Sequence, residues 1–145
     1  MLGSKDKNPG HYDTLISNKS EFVGDLHFSG GLHIDGKIKG NIIASDDSAA
    51  VVRISESGLV EGEIKAPNII INGQVVGNVY SQQHIELAKK AVVNGDVHYT
   101  MMEMVMGAQV NGNLIHQAVE KSRKGRKVKE PVVAELAEAD QSKVD

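Results

Sequence analysis

The sequence predicts an all-β chain: a single-stranded, three-sided parallel β-helix of about six coils over residues 14–115, with disordered tails at both ends. Three observations carry this expectation. Fifteen glycines stand against two Phe, three Tyr and no Trp, which implies a thin aliphatic core, because aromatics ordinarily supply much of a core's buried area. An apolar-x-Gly-x-apolar pattern recurs six times, with no helical stretch between copies. Its spacing is close to eighteen residues, the length of one coil built from three strands of about six residues. Helical repeats run to about 33 residues or more.

The copies read in order FVGDL, IKGNI, VEGEI, VVGNV, VNGDV and VNGNL, centred on Gly24, Gly40, Gly62, Gly77, Gly95 and Gly112. The gaps are 16, 22, 15, 18 and 17 residues. Aligned on the last apolar residue, the copies superpose Leu26, Ile42, Ile64, Val79, Val97 and Leu114. Four positions earlier stand Phe22, Ile38, Val60, Val75, Val93 and Val110. Six earlier stand Ser20, Gly36, Gly58, Gly73, Ala91 and Ala108, all small, and ten earlier stand Ile16, Leu32, Ile54, Ile69, Leu87 and Met104. Glycine-rich loops joining ordinary strands would not hold such offsets. Coils about 4.8 Å apart give a rod about 29 Å long.

The stretch IDGKIKGNI, residues 34–42, alternates isoleucine and glycine along what strict alternation would make one strand face. Glycine there spoils a flat strand. At the corner of a narrow coil it permits the bend and avoids a clash with converging walls. Gly24, Gly36, Gly40, Gly58, Gly62, Gly73, Gly77, Gly95 and Gly112 are accordingly expected at corners. The flanking aliphatics would stack as core rungs, each worth roughly 1.5–3 kcal/mol of burial.

The residue before each last apolar position is Asp25, Asn41, Glu63, Asn78, Asp96 or Asn113. Acids alternate with other residues up this column, which separates like charges and lets interleaved amides hydrogen-bond along the stack. One such column offers too few converging oxygens for a metal ion. The longest gap contains ASDDSAA, residues 44–50, expected as a loop extruded from a corner.

No catalytic constellation emerges, and the chain is expected not to be an enzyme and to need no cofactor or metal. GLHIDGK, residues 31–37, has the spacing of a phosphate-binding loop, but Ile38 stands where the magnesium-binding hydroxyl belongs and the repeat continues where a helix should begin. The six histidines form no metal-binding array, and His27 and His98, each following an inward residue, should point outward.

Residues 120–130 hold six basic and two acidic side chains, in a chain of net charge −3. With few bulky apolar residues, this segment is expected to be disordered. It has no interleaved aromatics for base stacking, so nucleic acid is not an expected partner. The organisation is then a tail over 1–13, the β-helix over 14–115, and a basic then acidic tail over 116–145. Cysteine is absent, and there is neither an 18-residue apolar run nor a secretory leader, which points to the cytoplasm.

A β-helix exposes unpaired backbone and apolar core at each end unless it is capped. Neither flank reads as a cap, and the last coil carries MMEMVM, residues 101–106. Met102 and Met104 fall in core register, while Met101 and Val105 point outward. Methionine adapts to irregular partner surfaces. End-to-end self-association is therefore expected, through Ile16 and Phe22 at one end and Met101, Met102, Met104, Val105, Val110 and Leu114 at the other. A non-polymerising module that displays its flat faces to a partner is the alternative.

GDLHFSGGLHIDGKIKGNI, residues 24–42, resembles the opening block of the bactofilins, and the later VEGEI, VNGDV and VNGNL repeats resemble that family too. The resemblance covers about residues 14–115. It implies a right-handed helix and nucleotide-independent, non-polar filaments, with copies joined head to head and tail to tail. It also implies a scaffold for cell shape or for localising cell-wall enzymes at the inner face of the cytoplasmic membrane. Family members often carry an N-terminal membrane-targeting peptide, a pattern that Met1, Leu2, Lys5 and Lys7 match loosely. The family's polymerisation-linked aromatic near the end of the rod has no counterpart, since no Phe follows Phe28. The methionine-rich coil is the candidate in its place.

Overall fold

The computed structural model describes residues 12–45 and 49–118. Every described element is a strand, and every strand pairing is parallel. The first coil is β1 (Thr14–Ile16), β2 (Glu21–Val23) and β3 (Leu26–Phe28), and the second is β4 (Gly31–Ile34), β5 (Lys37–Lys39) and β6 (Ile42–Ala44). The third begins with β7 (Val51–Ile54) and β8 (Leu59–Glu61). Then β9 (Ile64–Ile71) runs from its third face into the first face of coil four. After β10 (Gln74–Val76), β11 (Val79–Leu87) does the same into coil five. Coil five continues with β12 (Val92–Asn94) and β13 (Val97–Tyr99), and coil six is β14 (Met101–Met104), β15 (Gln109–Val110) and β16 (Leu114–His116).

The coils stack into three faces of a β-solenoid. One is a six-stranded sheet in the order β15-β12-β10-β8-β5-β2. The other two are joined into a single sheet because β9 and β11 cross the corner between them without a break. Asp13 and Gln117 also belong to the rod: their amides donate to the carbonyls of Gly31, at 2.9 Å, and Tyr99, at 2.7 Å. The paired rod thus extends slightly past the expected limits of 14 and 115. The tails beyond it, and residues 46–48 of the expected corner loop, lie outside the described residues.

Alternation places one aliphatic column inside each strand position, and the registers match two of the predicted columns. Leu26, Ile42, Ile64, Val79, Val97 and Leu114 align rung on rung. So do Phe22, Ile38, Val60, Val75, Val93 and Val110. The column expected ten positions earlier is corrected. The observed stack is Ile16, Ile34, Ile54, Ile71, Leu87 and Met104, while Leu32 and Ile69 sit in the neighbouring column with Val52, Ile85 and Met102. The cause is corner length. Two residues, 35–36 and 72–73, join the first and second faces in coils two and four, against four residues in the other coils. An offset counted across that corner slips by two, which preserves the inward face but changes the column.

The glycines meet an obstacle other than converging walls. A β-carbon on Gly40, Gly62, Gly77, Gly95 or Gly112 would run into the carbonyl oxygen of the glycine one coil earlier. Gly24, at the bottom of this column, meets nothing within 4 Å. Gly77, with φ 146°, adopts a backbone conformation that L side chains rarely take. Gly36, Gly58 and Gly73 likewise abut carbonyl oxygens at the first corner.

The column of acids and amides is also corrected in detail. Four of its six side chains bond not to each other but to the backbone of the next coil. Asp25 Oδ1 accepts from the Asn41 amide at 3.1 Å, Asn41 Oδ1 from Glu63 at 3.0 Å, Asn78 Oδ1 from Asp96 at 3.0 Å, and Asp96 Oδ1 from Asn113 at 2.9 Å. The chain turns here, so these N–H groups fall outside the strand ladders and need another acceptor.

Candidate functional site

The core columns end abruptly. Ile85, Leu87, Val93 and Val97 in coil five are 0% exposed. Directly beyond them in register lie Met102, Met104, Val110 and Leu114 of coil six. Met104 and Leu114 are exposed by 45% and 46%, and Met102 and Val110 are half-buried. These side chains point inward as their counterparts do. They are exposed because no further described coil covers them.

The opposite end mirrors this. Ile16, Phe22 and Leu26 stack on Ile34, Ile38 and Ile42, which are fully buried, yet they themselves are only half-buried. Each end therefore combines an apolar triangle with strands whose outer backbone groups have no described partner strand, a template for continued pairing. Lys39 Nζ lies 3.4 Å from Glu21 Oε2, and His84 Nε2 lies 4.0 Å from Glu103 Oε1. Both pairs sit on outward faces, so neither puts charge among the inward residues of the ends.

The expected end residues thus divide into two sets. Ile16, Phe22, Met102, Met104, Val110 and Leu114 form the inward layers, while Met101 and Val105 lie exposed on the outer surface of coil six. Sequence reasoning missed three residues. Leu26 belongs to the first end, and its place at the head of the Leu114 column could have revealed it. Met106, at the first corner of coil six, is 91% exposed. His116 lies in the inward column that passes from Phe28 through Ser81 and Tyr99, with its ring 5.4 Å from that of Tyr99; a position two beyond each aligned apolar residue was the available signal. The peptide suggested by Met1, Leu2, Lys5 and Lys7 falls outside the described residues.

Other sequence candidates are separated by the fold. Gly31 and Lys37 of the phosphate-loop look-alike stand on different faces, with β4 extended between them rather than wrapped as a cradle. His27 is exposed, whereas His98 is half-buried because its ring stacks on Tyr80 at 4.5 Å. Among the described residues, no group of three or more His, Cys, Asp or Glu is placed to hold a metal ion. No described helix is long and apolar enough to cross a membrane.

The family model described as "Bactofilin: Polymer-forming cytoskeletal" matches residues 14–115. The chain belongs to the bactofilin family. Two bactofilins of Myxococcus xanthus are similar to it. BacO is 28% identical over 102 residues, covering 70% of this chain and 78% of BacO. BacP is 25% identical over 111 residues, covering 77% of this chain and 45% of BacP. The solid-state NMR structure of the cytoskeletal bactofilin BacA matches with a TM-score of 0.62 at 29% identity, covering 71% of this chain and 94% of that one. This bactofilin is accordingly a polymer-forming cytoskeletal protein, structural rather than enzymatic, and self-association is its defining property.

Proposed function

We propose that this bactofilin polymerises end to end, coil six of one copy meeting coil six of another and coil one meeting coil one. The observation that carries this reading is the run of aliphatic columns into Met102, Met104, Val110 and Leu114 at one end and into Ile16, Phe22 and Leu26 at the other. Stacking a second copy buries these side chains and satisfies the open strand edges in one step. Like-to-like contacts are two-fold symmetric, so the filament has no polarity. Burial and backbone pairing drive the association, and no nucleotide is required.

In the cell such filaments would line the inner face of the cytoplasmic membrane, support cell shape and position cell-wall enzymes. Met1, Leu2, Lys5 and Lys7 would give each copy a weak lipid contact, and a filament would multiply it through avidity. Negative-stain microscopy of the purified chain in nucleotide-free buffer tests the assembly. Filaments that lengthen with protein concentration are the expected result. Monodisperse particles across a range of concentrations and salt would instead favour a binding module that presents its flat faces to a partner.

A further inference from the structure

We propose that Asn111 is a site of spontaneous deamidation, selected by the fold from three chemically equivalent Asn–Gly pairs. These are Asn72–Gly73, Asn94–Gly95 and Asn111–Gly112. In each, the glycine lacks a side chain that would hinder attack by its backbone nitrogen on the preceding amide carbon. Sequence alone gives the three equal standing.

The solenoid treats them differently. Asn72 Oδ1 accepts from the Lys90 amide at 2.9 Å, the Asn72 amide donates to the Ile54 carbonyl at 2.7 Å, and the Gly73 carbonyl accepts from Val92 at 2.9 Å. Asn94 Oδ1 accepts from Asn111 Nδ2 at 2.8 Å, and the Asn94 carbonyl accepts from Gly77 at 3.0 Å. Both asparagines are half-buried, and each has a further coil stacked beyond it. Asn111 is exposed in the last coil. Its amide donates to Val93 at 2.8 Å and its Nδ2 to Asn94, but among the described residues nothing donates to its Oδ1, as Lys90 does to that of Asn72, or to its carbonyl, as Gly77 does to that of Asn94. This pair packs against coil five on one side alone among the described coils, and end segments open locally at the lowest cost.

The chemistry needs only water. The Gly112 nitrogen bonds to Asn111 Cγ, the Cγ–Nδ2 bond breaks, and ammonia leaves carrying the former Gly112 proton. Water then opens the cyclic imide at either carbonyl to give aspartate or isoaspartate. Both products lose the Nδ2 donor: aspartate puts a carboxylate oxygen in its place, and isoaspartate routes the main chain through the former side-chain carbon. The 2.8 Å hydrogen bond from Asn111 Nδ2 to Asn94 Oδ1 between coils five and six is lost in either case.

Peptide mapping by mass spectrometry tests this on the dilute full-length chain incubated in mildly alkaline buffer, with and without denaturing urea. In urea the three sites should react at similar rates. In native buffer Asn111 should stay within a few-fold of its urea rate, while Asn72 and Asn94 slow by on the order of tenfold or more. Native slowing of Asn111 equal to that of the other two, or faster reaction at Asn72 or Asn94, would overturn the assignment.

Discussion

The carbonyl oxygen of Gly40 occupies the space where a β-carbon on Gly62 would have to sit. The same relation repeats from Gly62 to Gly77, Gly77 to Gly95 and Gly95 to Gly112. The glycine column is therefore a contact between backbones of successive coils, and it sets how closely they approach at that corner.

Gly62→Ala should destabilise the rod by about 3 kcal/mol or more, since a backbone oxygen cannot swing aside as a side chain can. Gly24→Ala meets no atom within 4 Å and bears only the cost of its φ of 127°, about 1–2 kcal/mol. Denaturant unfolding of the two variants compares these costs. Equal losses would show that backbone conformation, rather than the coil beneath, demands glycine.

Asn78→Ala removes the acceptor for the Asp96 amide, 3.0 Å away. It should cost about 1–2 kcal/mol, the penalty for leaving a donor unsatisfied. Asn113 occupies the same column in the last coil, with no described coil beyond it, so Asn113→Ala should be near neutral. Thermal unfolding of both variants reads the difference.

Asp35 supplies a pH-dependent contribution. Its carboxyl is held below the usual 3.8, first by a hydrogen bond from the Ser55 hydroxyl and further by His33, against an opposing effect of burial. His33 Nε2 lies 2.8 Å from Asp35 Oδ1. A depressed carboxylate stabilises the fold above its unfolded pKa, and this is lost as pH falls through the folded value. Asp35→Asn should therefore lower Tm at neutral pH, and the gap to the unmodified protein should close below 3.8. A gap that persists unchanged in acid would assign the loss to packing instead.

Met104→Arg puts a charge into the apolar layer of coil six, where Met104 is 45% exposed in the free rod. Burying that charge against a second copy would be strongly unfavourable, so filaments should shorten or vanish while β-sheet circular dichroism is retained. Leu87→Arg, one coil deeper in the same column, should unfold the rod. Unchanged filaments in Met104→Arg would place the assembly contact elsewhere.

Deleting residues 1–7 removes Met1, Leu2, Lys5 and Lys7 together. Co-sedimentation of filaments with anionic liposomes should fall, because the apolar pair and the electrostatic attraction of Lys5 and Lys7 are lost together. Undiminished binding would put the lipid contact on another surface.

The solenoid is written in the repeat. Six copies of one pattern, with inward aliphatics at alternate positions, leave each coil only its neighbours to pack against, and the spacing sets three strands to a coil. Ile38, Val60, Val75 and Val93 were legible as one column because no corner of variable length separates them from the glycine used for alignment. The remaining features depend on contacts between coils. The two-residue corners at Asp35–Gly36 and Asn72–Gly73 moved Leu32 and Ile69 into the adjacent column. Capping by Asn41, Asn78 and Asp96 is directed at backbone amides one coil away, a partner that spacing along the chain does not reveal. The exposure of Met104 and Leu114 follows the same logic. Their chemistry is that of the buried residues beneath them, and only their position beyond the last covering coil makes them surface.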